Sequence, residues 1–105
     1  MKETTWADLY ARALKAIRER ESFVLSLAAA HDLAHLGVTA NVINPGATDT
    51  GWMTAEVRAS VIDSTLLRRT GQPLDVANLV SFLCSEEGGW VNGQLLHSDG
   101  GTGLL

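Results

Sequence analysis

Apolar residues recur at helical spacing through the first third of the chain, at Trp6, Leu9, Tyr10, Ala13, Leu14 and Ile17 and again at Phe23, Val24, Leu27, Ala28, Ala30, Leu33 and Ala34. That spacing predicts an amphipathic helix. Thr5 with Asp8 three positions on has the form of a capping box with Asp in place of Glu, and Gly37 is placed as a C′ glycine. The charged run Arg18 to Glu21 interrupts the apolar face. Unbroken, residues 6 to 36 would make a rod of roughly 45 Å at about 1.5 Å per residue. A domain of this size is narrower than that. The pattern therefore predicts either a break near Arg20 to Ser22, with Ser22 as a cap, or a helix end that projects.

The period then changes. Val38 to Ile43 is β-branched at Val38, Thr39, Val42 and Ile43 and reads as a strand, ended by Pro45 and Gly46. A Thr/Asp-rich loop follows through Thr48, Asp49 and Thr50, as happens where a parallel sheet presents its carboxyl ends to a ligand. Thr54 to Arg69 has helical spacing at Val57, Val61, Ile62, Thr65 and Leu66, predicting a short helix with mobile ends. Pro73 stands near the first position of a further helix, where its missing N–H costs nothing. Leu74, Val76, Ala77, Leu79, Val80, Phe82, Leu83 and Cys84 are apolar nearly all round, which implies burial on more than one side. Gln94 to His97 reads as a short closing strand, and the glycine-rich end from Asp99 as a flexible tail.

Composition narrows the function classes. With 105 residues, 46% hydrophobic and 19% charged, the chain is at most one globular domain. A formal net charge of -4, with basic residues dispersed, argues against sequence-independent nucleic-acid or anionic-membrane binding. The single Cys84 excludes an internal disulfide. The apolar run Phe23 to Ala30 is too short to span a bilayer, and no signal-peptide pattern is present, so a cytoplasmic location is the default.

Four blocks then carry a resemblance: Leu33-Ala-His-Leu-Gly37-Val-Thr-Ala-Asn41-Val-Ile-Asn44-Pro45-Gly46-Ala-Thr-Asp-Thr50, Arg69-Thr-Gly71-Gln-Pro73-Leu-Asp75-Val-Ala77-Asn-Leu-Val80-Ser-Phe82-Leu83-Cys-Ser85, Val91-Asn-Gly93-Gln, and Asp99-Gly100-Gly101. Their order and spacing resemble the carboxyl-terminal part of the short-chain dehydrogenase/reductase family. The resemblance implies an α/β, partial Rossmann-like fold: a long helix, a strand, a lid helix, a buried helix and a closing parallel strand. It divides the chain into an unmatched helical segment, 1–22, and a family segment, 23–105. It also implies that the Pro-Gly strand is the sixth of a doubly wound sheet and that its loop meets the nicotinamide end of NAD or NADP, with Asn44, Pro45, Gly46, Thr48 and Thr50 as cofactor-binding residues. Glycine lets backbone approach a flat ring, and the Thr48 amide and Thr50 hydroxyl suit a carboxamide or phosphate. Met53 to Arg69 would be the substrate lid, and the helix from Leu74 with the strand at Leu95 a subunit interface.

Two parts of the family pattern are not found in these residues. No Gly-rich strand-turn-helix is present to hold a pyrophosphate. The family's Tyr-x-x-x-Lys pair, which moves the proton accompanying hydride transfer, maps to Ala13 and Ile17 in one register and to Lys15 and Glu19 in the other. Tyr10 and Lys15 are five apart, about 100° further round a helix than four positions. No catalytic residue is assigned. His31-x-x-x-His35 has metal-ligand spacing on one helical face, with Asp32 or His97 as the only candidate third ligands, and reads as surface histidines rather than a metal site. Cys84 reads as a small buried hydrophobe, Glu86-Glu87 as a solvated helix end.

Two functions follow. The chain is a fragment of an NAD(P)-dependent short-chain oxidoreductase, inactive when isolated; or it is a non-catalytic oligomerisation module derived from that fold. Two parallel strands are fewer than an independent sheet needs, so a homo-oligomer is expected, a dimer through the long helix or the Leu74 helix. Substrate and the choice between NAD and NADP are not legible here.

Overall fold

The computed structural model describes residues 5–102 and Leu104; within the first helix the side chains of residues 8, 9, 12, 13, 16, 17 and 19 lie outside the described set. The Thr5/Asp8 capping box, the apolar positions Leu9, Ala13 and Ile17 and both mapped Tyr/Lys registers involve those side chains. The elements are α1 (Trp6–Leu33), a 3-10 turn (Ala34–Leu36), β1 (Val42–Asn44), α2 (Ala55–Ser64), α3 (Pro73–Leu83) and β2 (Leu95–His97). β1 and β2 pair in parallel, with Val42 opposite Leu95 and Asn44 opposite His97. The α/β order of a partial Rossmann-like fold is thus present.

α1 runs 28 residues without a break, about 42 Å at the α-helical rise. The expected interruption at Arg20 to Ser22 does not occur, because Arg and Glu are strong helix formers: the charged run breaks the apolar face and leaves the backbone intact. The amino-terminal turns project instead, with Trp6 87% exposed. α1 also passes residue 22 with no change of structure. Gly37, at φ +74, closes the 3-10 turn by donating to the Ala34 carbonyl.

The first strand is shorter than expected and starts at Val42. Residues 38 to 41 are not in the ladder. Over this approach one backbone bond, from Gly93 N to the Ala40 carbonyl at 2.9 Å, is supplemented by Asn side chains: Asn92 Oδ1 accepts from Ala40 N, Asn41 Nδ2 donates to the Val91 carbonyl, and Asn41 Oδ1 accepts from Gln94 N.

α2 is capped by Thr54, whose hydroxyl accepts from Val57 N at 3.2 Å. α3 opens on Pro73, preceded by Gln72, whose N–H donates to the Asp75 carboxylate at 2.7 Å. The expectation that α3 is buried, Cys84 included, is not met. Leu74, Val80 and Phe82 are exposed, as is Cys84, because periodicity identifies an apolar face but not whether a layer covers it. The end from Asp99 also departs from a flexible tail: Leu67 N donates to the Gly100 carbonyl at 3.1 Å, and Thr102 Oγ1 lies 3.3 Å from Thr65 Oγ1.

Among the described residues the only buried apolar side chains are Ala30 and Met53. The accessible surface is 7965 Å², against roughly 5,700 Å² for a compact 11 kDa monomer. The radius of gyration, 16.3 Å, likewise exceeds the roughly 13 Å of a compact chain this long. Much apolar surface therefore faces outward. No helix among the described residues is long and apolar enough to cross a membrane.

Candidate functional site

β1 runs directly into Pro45, which has no N–H to offer a ladder. Gly46 then adopts φ +63, and its N–H donates to Asn44 Oδ1 at 3.1 Å. A Cβ at position 46 would lie 2.6 Å from the Asp99 Cβ, so backbone conformation and contact both require glycine. The next residues run beside Gly71: Asp49 N donates to the Gly71 carbonyl at 2.8 Å, and Gly71 N to the Ala47 carbonyl at 3.0 Å. This forms an isolated parallel bridge between Thr48 and Gly71.

The bridge leaves the Thr48 N–H without an acceptor among the described residues, and the Thr50 hydroxyl is likewise unbonded and lies on an exposed residue. The Thr48 hydroxyl donates to the Pro45 carbonyl at 3.4 Å. Asn44, Pro45, Gly46, Thr48 and Thr50 therefore lie along one sharply turned stretch, with the Thr48 N–H and the Thr50 N–H and hydroxyl left without acceptors among the described residues. A stretch of this kind can bind and orient a flat polar ring or a phosphate.

Sequence reasoning missed Asp49 and Arg58. Asp49 Oδ1 accepts from Gly51 N at 3.0 Å, and Oδ2 accepts from both Nε and an Nη of Arg58, at 3.2 and 2.9 Å. The Gly51 N–H, followed by the Arg58 guanidinium, holds the Asp49 carboxyl below the usual carboxylate range. Trp52 adds a tie, its Nε1 donating to the Thr48 carbonyl at 2.9 Å. Nothing in the local pattern signals the Asp49–Arg58 pair beyond opposite charges nine positions apart.

A groove of about 250 Å³ lies between α1 and the Pro-Gly strand, lined by Arg18, Ser22, Val42, Ile43, Asn44, Pro45 and Leu95. The α1 side chains that line it are Arg18 and Ser22, and neither Tyr10 nor Lys15 does. Both of those are exposed. A larger cleft, about 450 Å³, separates the carboxyl end of α2 from the Asp99–Gly101 turn. On its wall Arg69 grips Asp75 with two bonds of 2.7 and 2.8 Å. That guanidinium, with the Gln72 N–H, lowers the Asp75 carboxyl to about 2, and Asp75 in turn raises Arg69. His31 is in α1 and bonded to Asp32, while His35 falls in the 3-10 turn. Among the described residues no three His, Cys, Asp or Glu side chains cluster as metal ligands.

A family model described as enoyl-(acyl carrier protein) reductase matches residues 21–103. An uncharacterized oxidoreductase of Bacillus subtilis is 46% identical over 70 residues, which are 67% of this chain and 28% of that protein. The 7α-hydroxysteroid dehydrogenase of Escherichia coli is 41% identical over 76 residues, 69% of this chain and 30% of that protein. Among solved structures, a short-chain dehydrogenase from Burkholderia cenocepacia in complex with NADP superposes with a TM-score of 0.74 at 32% identity, over 85% of this chain and 37% of that one. The chain thus spans about a third, or less, of the length of the relatives it matches.

Proposed function

We infer function from one premise: the chain belongs to the short-chain dehydrogenase/reductase family, of which it carries the carboxyl-terminal part. We propose that Asn44, Pro45, Gly46, Thr48 and Thr50 form the wall of an NAD or NADP site at its nicotinamide end. On this reading residues 1–22 stand outside the family domain, residues 23–105 belong to it, and the setting is cytoplasmic. The observation that carries the proposal is the set of unused donors, the Thr48 N–H and the Thr50 N–H and hydroxyl, beside a backbone turn that needs glycine. Their donor chemistry fits a carboxamide or phosphate oxygen.

When bound, the dinucleotide supplies hydride exchange with a carbonyl or hydroxyl substrate. The residues of this chain bind and orient. Asn44 fixes the turn through the Gly46 N–H, Gly46 keeps side chains away from the ring, and Thr48 and Thr50 donate hydrogen bonds. These residues hold neither a phosphate-cradling Gly-rich turn nor the Tyr-x-x-x-Lys pair, so by themselves they carry out no hydride transfer. Affinity is expected near 1 mM, about -4 kcal/mol, because contacts to the pyrophosphate are absent.

The test is a titration of NADH and NADPH against the chain with Trp6 and Trp90 replaced by Phe, following emission from Trp52, which is bonded to Thr48. Saturable quenching near millimolar concentration supports the reading. No response up to about 10 mM overturns it.

A second reading is favoured by one observation, the surface excess over a compact monomer. The exposed apolar faces of α1 and α3 suit self-association, and a homodimer through either helix covers them. This assembly is compatible with the cofactor wall and does not depend on it.

A further inference from the structure

We propose that Arg58, on the lid helix α2, is a positioning residue for the segment Thr48 to Thr50: by gripping Asp49 it holds the two threonines in place and neutralises the carboxylate that lies between them. This rests on the reading of that segment as a cofactor wall.

Asp49 sits between the two threonines, and its side chain is only 15% exposed. Its N–H and both carboxylate oxygens are engaged. The N–H donates to Gly71, one carboxylate oxygen accepts from Gly51, and the other accepts two bonds from Arg58. The segment is thereby tied to the α2–α3 connection, to its own turn and to the lid. Arg58 extends from the first turns of a helix whose start is fixed by the Thr54 cap, so the guanidinium is presented from a set position. The Trp52 indole bonds Thr48 from the chain leading into the same helix. The lid is thus joined to the wall through Arg58, and the loop leading to it through Trp52.

Charge gives Arg58 its second task. A phosphate placed on the Thr48 N–H or the Thr50 hydroxyl would lie next to the Asp49 carboxylate, and like charges brought together at a binding surface oppose association. The Arg58 guanidinium offsets that repulsion. An apolar side chain at 58 would leave the carboxylate uncompensated.

The test compares wild type, Arg58→Ala, Asp49→Asn and the double variant, each checked by far-UV circular dichroism and thermal unfolding. Without ligand, the Asp49 carboxyl is titrated by NMR. Arg58→Ala should raise its midpoint and speed exchange of the Gly51 amide and the Trp52 indole N–H. With NADP+ as the probe, Arg58→Ala should weaken binding roughly fivefold, and adding Asp49→Asn should restore it to within about twofold. A purely structural role would not be rescued by removing a charge. An unchanged Asp49 titration in Arg58→Ala overturns the grip. Equal loss in the single and double variants overturns the charge compensation. Absence of NADP+ binding by the wild type defeats the cofactor wall, and the compensation with it, while the ligand-free titration still decides the grip.

Discussion

Replacing Gly46 with Ala probes the turn on which the candidate site is built. Two costs add. The residue sits at φ +63, where an L side chain costs about 1–2 kcal/mol. The new methyl would start 2.6 Å from the Asp99 Cβ and 3.2 Å from its Cα. Neither atom is the free end of a flexible side chain, so the backbone must shift, at about 1–3 kcal/mol for overpacking. The sum is about 2–5 kcal/mol. Gly37→Ala separates the terms: Gly37 has φ +74, and a Cβ there meets nothing within 4 Å, so only the conformational cost of about 1–2 kcal/mol applies. Urea unfolding of both variants at one fixed protein concentration, followed by circular dichroism, gives the difference. A Gly46→Ala penalty no larger than that of Gly37→Ala would refute the packing of the Asp99 turn against the Pro-Gly loop. Asp99→Gly in the Gly46→Ala background should recover part of the excess, and strict additivity would refute direct contact.

Two further outcomes follow from the same geometry. Asp75 has a folded-state pKa lowered to about 2 by Arg69 and the Gln72 N–H. The stability it contributes is therefore complete above the ordinary carboxylate value near 4, and is lost as pH falls from there towards 2. Acid unfolding of wild type should be steeper in that window than that of Asp75→Asn, and parallel curves would contradict the pairing. Light scattering at micromolar concentration should give a dimer, shifted towards monomer by Leu25→Ser on α1 or Phe82→Ser on α3; a compact wild-type monomer would contradict self-association.

Local chemistry made the Pro-Gly turn legible, since Pro45 and Gly46 constrain the backbone whatever surrounds them. The start of α3 at Pro73 was readable for the same reason. Contacts between distant segments were not. Gly46 could be placed in a turn from its neighbours, but the reason only glycine fits includes Asp99, more than fifty positions away. Asp49 looked like one acidic residue in a polar loop, and only the docking of α2 makes it the partner of Arg58. The charged run in α1 was read as a weakness of the helix, although its residues favour helix and disturb only the apolar face. The burial of α3 was overestimated because an apolar sequence reports what a face would prefer to contact, and the described residues do not cover it.

If Asn44 to Thr50 is the nicotinamide-end wall of a dinucleotide site, added dinucleotide must perturb that stretch first. The most direct measurement is amide mapping by NMR as NADP+ is added to the isotope-labelled chain. Shifts should concentrate at Gly46, Thr48, Asp49 and Thr50 and saturate near 1 mM. Shifts confined to the cleft at Leu66, Leu67 and Gly101, or no shifts at all, would contradict it.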